Sequence, residues 1–265
     1  MSLEGIELID PTQDSRYSGY VDSFFSQRGR RGLSKREAQE KILTHNYFAS
    51  MMLVAGDADA MVTGTASSYK TAVSPILEVI GGKEGHILAG VYMLALGSKK
   101  IFISDCTMNI DPDAQKIANI AITTANLAKH YTDDPIRIAM LSFASFGTSN
   151  HPDAKKMAKA VELVKYTHPH LEIDGEMQVD VALNSELRAQ EFPFCELRGD
   201  ANVLICPNLS SANITYKALT TLASAVPTGP FLVGINKPAH VVQRGASVEE
   251  IVNLIYVAAH QSLAE

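Results

Sequence analysis

The run Asn236-Lys237-Pro238-Ala239-His240-Val241-Val242-Gln243-Arg244-Gly245-Ala246-Ser247-Val248-Glu249-Glu250 follows an apolar stretch, Pro230 to Ile235, and leads into a helix. An arginine on a Gly-containing turn just before a helix start sits where backbone N–H groups and the helix dipole favour an anion. The chemistry suggested is phosphate binding at Arg244, with the Glu250 carboxylate in the first turn of the helix behind it. A second reading needs no ligand. Ser247-x-x-Glu250 has the spacing of a capping box, with Ser247 at the N-cap and Glu250 at the third helical position. Spacing alone leaves both open.

A second stretch with chemical potential is Ser142-Phe143-Ala144-Ser145-Phe146-Gly147-Thr148-Ser149-Asn150. Between a strand and a helix, Ser145, Gly147, Thr148 and Ser149 can present N–H groups to a phosphate or thioester; they equally fit a plain capped loop. Arg28, Arg30 and Arg31 form a basic cluster that composition alone reads as a solvated face. His168-Pro169-His170 reads as a surface turn and Asp57-x-Asp59 as a turn into a strand, so no metal site is expected. Cys106, Cys195 and Cys206 are widely spaced and in no CxxC pattern, which argues against a disulfide framework and for a reducing cytoplasm.

Composition narrows the classes further. The chain has 265 residues, 46% hydrophobic and 20% charged, which is ordinary for a globular protein of one large or two modest domains. A net charge of −6 argues against nucleic-acid binding and leaves room only for a local basic pocket. No stretch approaches the ~18 apolar residues of a membrane span. No GxGxxG follows a strand, which argues against a dinucleotide-binding oxidoreductase. Met1-Ser2-Leu3 followed at once by a strand-like stretch reads as a junction, so a longer gene product is expected.

Apolar strands alternating with helical stretches predict an α/β fold with mostly parallel sheets. One long helix is expected from the Ser34-x-x-Glu37 cap to about Ala55, then a strand at Asp59 to Val62, and a helix from Thr71 to Ile80 stopped by Gly81-Gly82. His86 to Leu96 and Lys100 to Ser104 read as a hairpin around Gly97-Ser98, and Asp111-Pro112 as the start of a helix. Strands follow at Arg137 to Phe143, Asn202 to Pro207 and Phe231 to Ile235, with helices from His151-Pro152 and over Ser211 to Ala225. The last helix, Val248 to Leu263, is expected to bury Ile251, Val252, Ile255, Ala258 and Ala259. Domain boundaries are expected near Gly81-Gly82 and Gly234 to Asn236.

Taken in order, several stretches are similar to the phosphate acetyl/butyryltransferase family, and most closely to the phosphotransacetylase-like C-terminal domain of hybrid NADP-dependent malic enzymes. They include Gly5-Ile6-Glu7-Leu8-Ile9-Asp10-Pro11, Gly56-Asp57-Ala58-Asp59-Ala60-Met61-Val62-Thr63-Gly64 and Asn109-Ile110-Asp111-Pro112. Asp174-Gly175-Glu176-Met177-Gln178-Val179-Asp180, Ala212-Asn213-Ile214-Thr215-Tyr216-Lys217 and Asn236-Lys237-Pro238 continue the match over the whole chain. The resemblance implies two α/β/α domains facing each other across a cleft. Residues 83–234 would be inserted between 1–82 and 235–265, the first domain being truncated at its N-terminus.

Active members of that family convert acetyl phosphate and CoA to acetyl-CoA and phosphate. The resemblance places their phosphate-binding arginine on Arg28 and a second arginine, which precedes a proline, on Ser74. It places their catalytic serine on Gln243 and their catalytic aspartate on Glu250, and it keeps Arg244. Ser68, Asn236 and Lys237 fall among cleft-lining positions, as does the loop of Ser145, Gly147, Thr148 and Ser149. An extra methylene moves the Glu250 carboxylate by about 1.5 Å, and misplacement on that scale costs on the order of 10²-fold. The implied function is acetyl-CoA binding as a regulatory signal with little or no transfer, and the alternative is an active transferase. Acetyl-CoA or CoA acts as substrate or effector, acetyl phosphate and phosphate are possible ligands, and no tightly bound cofactor is expected. Self-association as a homodimer or larger, and a covalently attached malic-enzyme domain, complete the implied partners.

Overall fold

A computed structural model describes residues 4–264, so the Met1-Ser2-Leu3 junction lies outside the described residues. The chain groups into two compact units, one of Met1–Gly81, Asn236–Ala246 and Ile255–Glu265, the other of Gly82–Ile235 and Ser247–Leu254. Among the described residues no helix is long and apolar enough to cross a membrane.

The first unit begins with helices α1 (Tyr17–Arg28), α2 (Lys35–Ile42) and α3 (His45–Ala55). They meet around Tyr20, Phe24, Ile42, Phe48 and Met51, where Tyr20 and Phe48 pack edge to face at 5.0 Å. Ser34 and Glu37 form the expected reciprocal cap of α2. The single long helix predicted after it is two, because Thr44 is extended as the N-cap residue of α3 and its hydroxyl donates to the Lys41 carbonyl at 2.8 Å. Strand β1 (Met61–Gly64) then feeds α4 (Tyr69–Pro75), which continues as one π-helical stretch, Ile76–Ile80, up to Gly81.

The second unit is built on a six-stranded sheet. Strands β2 (Ala89–Leu96) and β3 (Lys99–Ser104) form the predicted hairpin, and α5 (Ala114–Ala128) follows. Its cap is Asp113, which accepts the Lys116 N–H at 2.8 Å; the expected cap, Asp111, pairs with Lys156 instead. Next come β4 (Arg137–Leu141), α6 (Pro152–Thr167) and β5 (Glu172–Met177). Short helices α7 (Val179–Leu183) and α8 (Ser185–Glu191) lead to β6 (Val203–Ile205), α9 (Leu209–Leu222) and β7 (Val226–Val233). The order is β5-β4-β6-β3-β2-β7, with β5, β4, β6 and β3 parallel and β2 antiparallel to both its neighbours.

This order has a reversal in it. From β3 the chain passes outward to β4 and β5, then returns through β6 to β7 on the far side. Right-handed crossovers put α5 and α6, which pack on each other, on one face, and the returning α9 on the other. The loops after the adjacent strands β4 and β6 therefore diverge. The crevice between them is the topological switch point, where open α/β sheets bind ligands.

β5 escapes sequence reading because Glu172, Asp174 and Glu176 alternate with its apolar residues, yet Asp174 and Glu176 are buried. Burial is tolerable because each acid has donors. Asp174 accepts the Glu196 N–H at 2.8 Å and pairs with Lys165, and Glu176 accepts the Gly147 N–H at 2.7 Å.

The chain returns to the first unit with β8 (Ala239–Val242), parallel to β1. All four of its residues are buried, so it lacks the alternation that marks a strand. Helix α10 (Val248–Ala264) ends the fold. It buries Leu254, Val257 and Ala258, whereas Val252 and Ile255 stay 40% and 50% exposed, so the predicted stripe is correct only in part. Apolar residues lie on more than one face of this helix, and periodicity cannot choose between them.

His240 in β8 is fully buried and hydrogen-bonded to Gln261 at 2.8 Å. Burial pulls its pKa down to about 4 from 6.5, against the opposing effect of Gln261. Between those values the unfolded chain holds a proton that the native state refuses, so stability falls as pH drops through this window. The loss reaches roughly 3 kcal/mol near pH 4. Calorimetric melting from about pH 7 to about pH 4.5 is expected to show it, and His240→Leu should flatten that dependence.

Candidate functional site

Both expected sites lie at the carboxyl ends of parallel strands. In the first unit the β1–β8 register pairs Gly64 with Val242, so the segments that follow leave the same end of the two-stranded sheet. The approach is closest at Gly64, with φ +127°, where a Cβ would sit 2.1 Å from the Val242 carbonyl oxygen. Thr65 follows at φ +55°, a strained conformation for a β-branched residue. Ser68 then caps α4, accepting the Thr71 N–H at 3.2 Å. From the other strand come Gln243, Arg244 and Gly245, in a turn closed by the Ala246 N–H on the Gln243 carbonyl at 3.2 Å. Arg244 is exposed and makes no ion pair among the described residues.

Ser68, Gln243 and Arg244 are thus brought to one sheet end. Ser74, farther along α4, turns its hydroxyl back on the Lys70 carbonyl at 2.7 Å and offers no cation. Arg28, half-buried at the end of α1, forms no hydrogen bond or ion pair with these residues. Its charge bears on Glu78, which is bound by Lys41 at 2.6 Å and by the Tyr47 hydroxyl at 2.7 Å. Burial pushes the Glu78 carboxyl up, and those two bonds with the nearby Arg28 charge outweigh it and hold it below its usual range.

Two further expected contacts have structural duties. Asn236 fixes the chain after β7, its N–H on the Gly81 carbonyl and its amide on the Ile80 carbonyl at 3.0 Å; Lys237 beside it is exposed. Glu250 and Ser247 form the capping box that spacing allowed. The Ser247 N–H donates to the Glu250 carboxylate at 2.6 Å, and the Glu250 N–H to the Ser247 hydroxyl at 3.2 Å.

In the second unit the loop 142–150 follows β4 at the switch point. The expectation that its amides face a ligand is corrected here, because four consecutive ones are already bonded. Ser145 N–H donates to the Thr148 hydroxyl, Phe146 N–H to the Glu176 carbonyl, Gly147 N–H to the Glu176 carboxylate and Thr148 N–H to the Ser145 carbonyl. Ser145 is buried, its hydroxyl accepting the Gln178 N–H at 3.0 Å. The positive φ angles of Phe146 (48°) and Gly147 (80°) wrap the loop around the chain's own carboxylate. What it turns outward is side chain: the half-buried Ser149 and the exposed Thr148 and Phe143, the last packed edge-on against His151, the N-cap of α6.

Sequence reading missed two residues that shape this edge. Glu176 carries no local signal, since its partner lies 29 residues earlier. Asp105, just after β3, accepts five hydrogen bonds, from the N–H groups of Gly90, Thr107, Met108 and Asn109 and from the Asn109 amide. An Asp followed four residues later by Asn after an apolar strand is a legible turn signal.

The model of the phosphate acetyl/butaryl transferase family matches residues 1–259. The chain belongs to this family. Within it, the phosphate acetyltransferase of Bacillus subtilis is 36% identical over 264 residues, covering 99% of this chain and 81% of that protein. The NADP-dependent malic enzyme of Escherichia coli is also 36% identical, over 255 residues, but the chain spans only 34% of its length. Among solved transferases, the EutD phosphotransacetylase from Staphylococcus aureus superposes with a TM-score of 0.89 at 34% identity, covering 99% of this chain and 80% of that one. The phosphotransacetylase from Streptococcus pyogenes gives 0.91 at 34%, covering 96% and 78%.

The contact of Gly64 with Val242 holds this end of the two-stranded sheet together. Gly64→Ala is expected to destabilise the chain by more than about 2 kcal/mol, since a methyl group has no room against the Val242 backbone. Gly245→Ala, at φ +86° but with nothing within 4 Å of the added Cβ, should cost only about 1 kcal/mol. Urea unfolding of the two variants compares them.

Proposed function

We infer that this chain binds acetyl-CoA or CoA through the carboxyl ends of its parallel strands, with Arg244 receiving phosphate, and that it transfers acetyl groups feebly. Acyl transfer requires the CoA thiolate to attack the acetyl phosphate carbonyl, a group to take the thiol proton, and cations on the departing phosphate. The observation that carries the reading is the engagement of Glu250. At the position of the catalytic aspartate, its carboxylate is committed to the Ser247 N–H at 2.6 Å. Ser74, at the position of a phosphate-side arginine, offers a hydroxyl that is bonded to its own helix. Losing one charge-assisted contact to phosphate removes about 1.5–3 kcal/mol. Gln243 supplies an amide where the active enzymes have a serine.

Such a domain serves as a sensor of acetyl-CoA within a longer malic enzyme. Its likeness to the malic enzymes of Escherichia coli, Salmonella typhimurium and Rhizobium meliloti, at 36%, 35% and 35% identity, supports this role. A second reading, a working transferase, is favoured by the 36% identity to the Bacillus subtilis acetyltransferase over 81% of its length. The exposed apolar residues Val252, Ile255, Tyr256 and Leu263 on α10 support self-association.

Calorimetric titration with acetyl-CoA is expected to give a saturable isotherm; its absence at millimolar ligand sinks the binding reading. Thioester formation from acetyl phosphate and CoA is expected to be weak, and robust turnover would establish the second reading. Ser74→Arg combined with Gln243→Ser and Glu250→Asp should raise turnover by roughly 10²-fold or more. For self-association, light scattering on the eluting protein is expected to give at least a dimer mass, falling towards monomer in Ile255→Glu.

A further inference from the structure

The opposite edge of the second unit's sheet holds a cavity for which acyl transfer has no use. It measures about 580 Å³, and its wall includes Lys99, Lys100, Asp134, Arg137, Asp200 and Asn202. That volume lies in the range of metabolite pockets, roughly 300–1,000 Å³. Lys99 opens β3, Arg137 opens β4 and Asn202 immediately precedes β6. The cavity therefore lies a strand length, about 15–20 Å, from the carboxyl ends that carry the 142–150 loop.

Its floor is already fixed. The Arg137 Nε–H donates to the Asp200 carbonyl at 2.8 Å, and its backbone N–H to the Asn202 side-chain oxygen at 2.9 Å. The Asn202 amide holds the Pro135 carbonyl at 3.0 Å. Asp200 accepts the Ser185 N–H at 3.0 Å and pairs with Lys99 at 3.1 Å. Beneath this segment the buried Arg188 donates to the carbonyls of Leu197 and Gly199. A ligand would pay little to order such a floor.

The charges select an anion. Three cations, Lys99, Lys100 and Arg137, face two carboxylates, Asp134 and Asp200. Arg137 uses only its Nε, and its two terminal nitrogens have neither hydrogen bond nor ion pair among the described residues. Two parallel N–H donors at the end of a guanidinium match the two oxygens of a carboxylate. Lys100 holds the Tyr131 carbonyl at 2.8 Å and keeps donors for a second anionic group. Ile101, Leu183 and Ala201 complete the wall with carbon surface suited to a carbon skeleton.

We propose that this cavity binds a small organic polycarboxylate, one carboxylate end-on to Arg137 and another at Lys100 and Lys99. It lies at the far end of the same sheet that carries the switch-point loop. Occupancy ties together the starts of β3, β4 and β6 and stabilises the second unit by mass action.

Calorimetric titration of the purified chain with citrate as the probe, at constant ionic strength, tests this, with inorganic phosphate in a parallel arm. One saturable citrate site is expected, with phosphate at least about tenfold weaker. Arg137→Gln and Ser98→Glu should each weaken citrate by about tenfold or more. Ser98 is an exposed turn residue at the rim, so its variant decides the matter should Arg137→Gln fail to fold. The proposal is overturned by no saturable citrate binding up to roughly 20 mM. Citrate binding indifferent to Ser98→Glu, or phosphate binding as tightly as citrate, overturns it equally.

Discussion

Buried carboxylates that accept backbone N–H groups hold the second unit in shape. A strand that ends inside a protein leaves irregular backbone whose donors water cannot reach, and each unmet donor costs on the order of 1–3 kcal/mol. Asp105 meets three such donors after β3 and that of Gly90 in β2, Glu176 one in the loop after β4, and Asp174 those of Gly175 and Glu196. The half-exposed Asp200 likewise accepts the Ser185 N–H before β6. The acids in turn escape the penalty of burial because those N–H groups replace their water.

The consequence for ligand binding runs against a common intuition. A Ser/Thr/Gly loop at a strand's carboxyl end suggests amides waiting for phosphate, yet here Glu176 takes those of Phe146 and Gly147, and the loop's own Thr148 hydroxyl and Ser145 carbonyl take those of Ser145 and Thr148. Such a loop has its central amides satisfied within the protein. The first unit depends on a different constraint, the close approach of β1 and β8 at Gly64 and Val242. That contact sends the Ser68 segment and the Gln243-Arg244 turn out together, whereas the Arg28 charge bears on Glu78.

Much of the local structure was legible. The caps at Ser34 and Ser247, the helix start at His151-Pro152 and the hairpin at Gly97-Ser98 all follow from spacing, because their partners lie within a few residues. What failed was nonlocal. β8 lacks alternation because it is buried throughout, and β5 looks too acidic for a strand until the donors from the 142–150 loop and the Glu196 segment are seen. The stripe on α10 was misplaced in part because a helix apolar on several faces takes its phase from what it packs against.

The sequence by itself determined the family, since ordered identities along the whole chain need no geometry. It also determined that Glu250 could cap its helix. Only the tertiary structure decided that it does, that the Phe146 and Gly147 amides are spent on Glu176, and that Lys99, Lys100 and Arg137 meet around one cavity. The reason is physical. A hydrogen bond within one turn is fixed by covalent spacing, whereas the partner of a buried charge, or the neighbours at a strand's start, are fixed by sheet order, which short-range pattern does not encode.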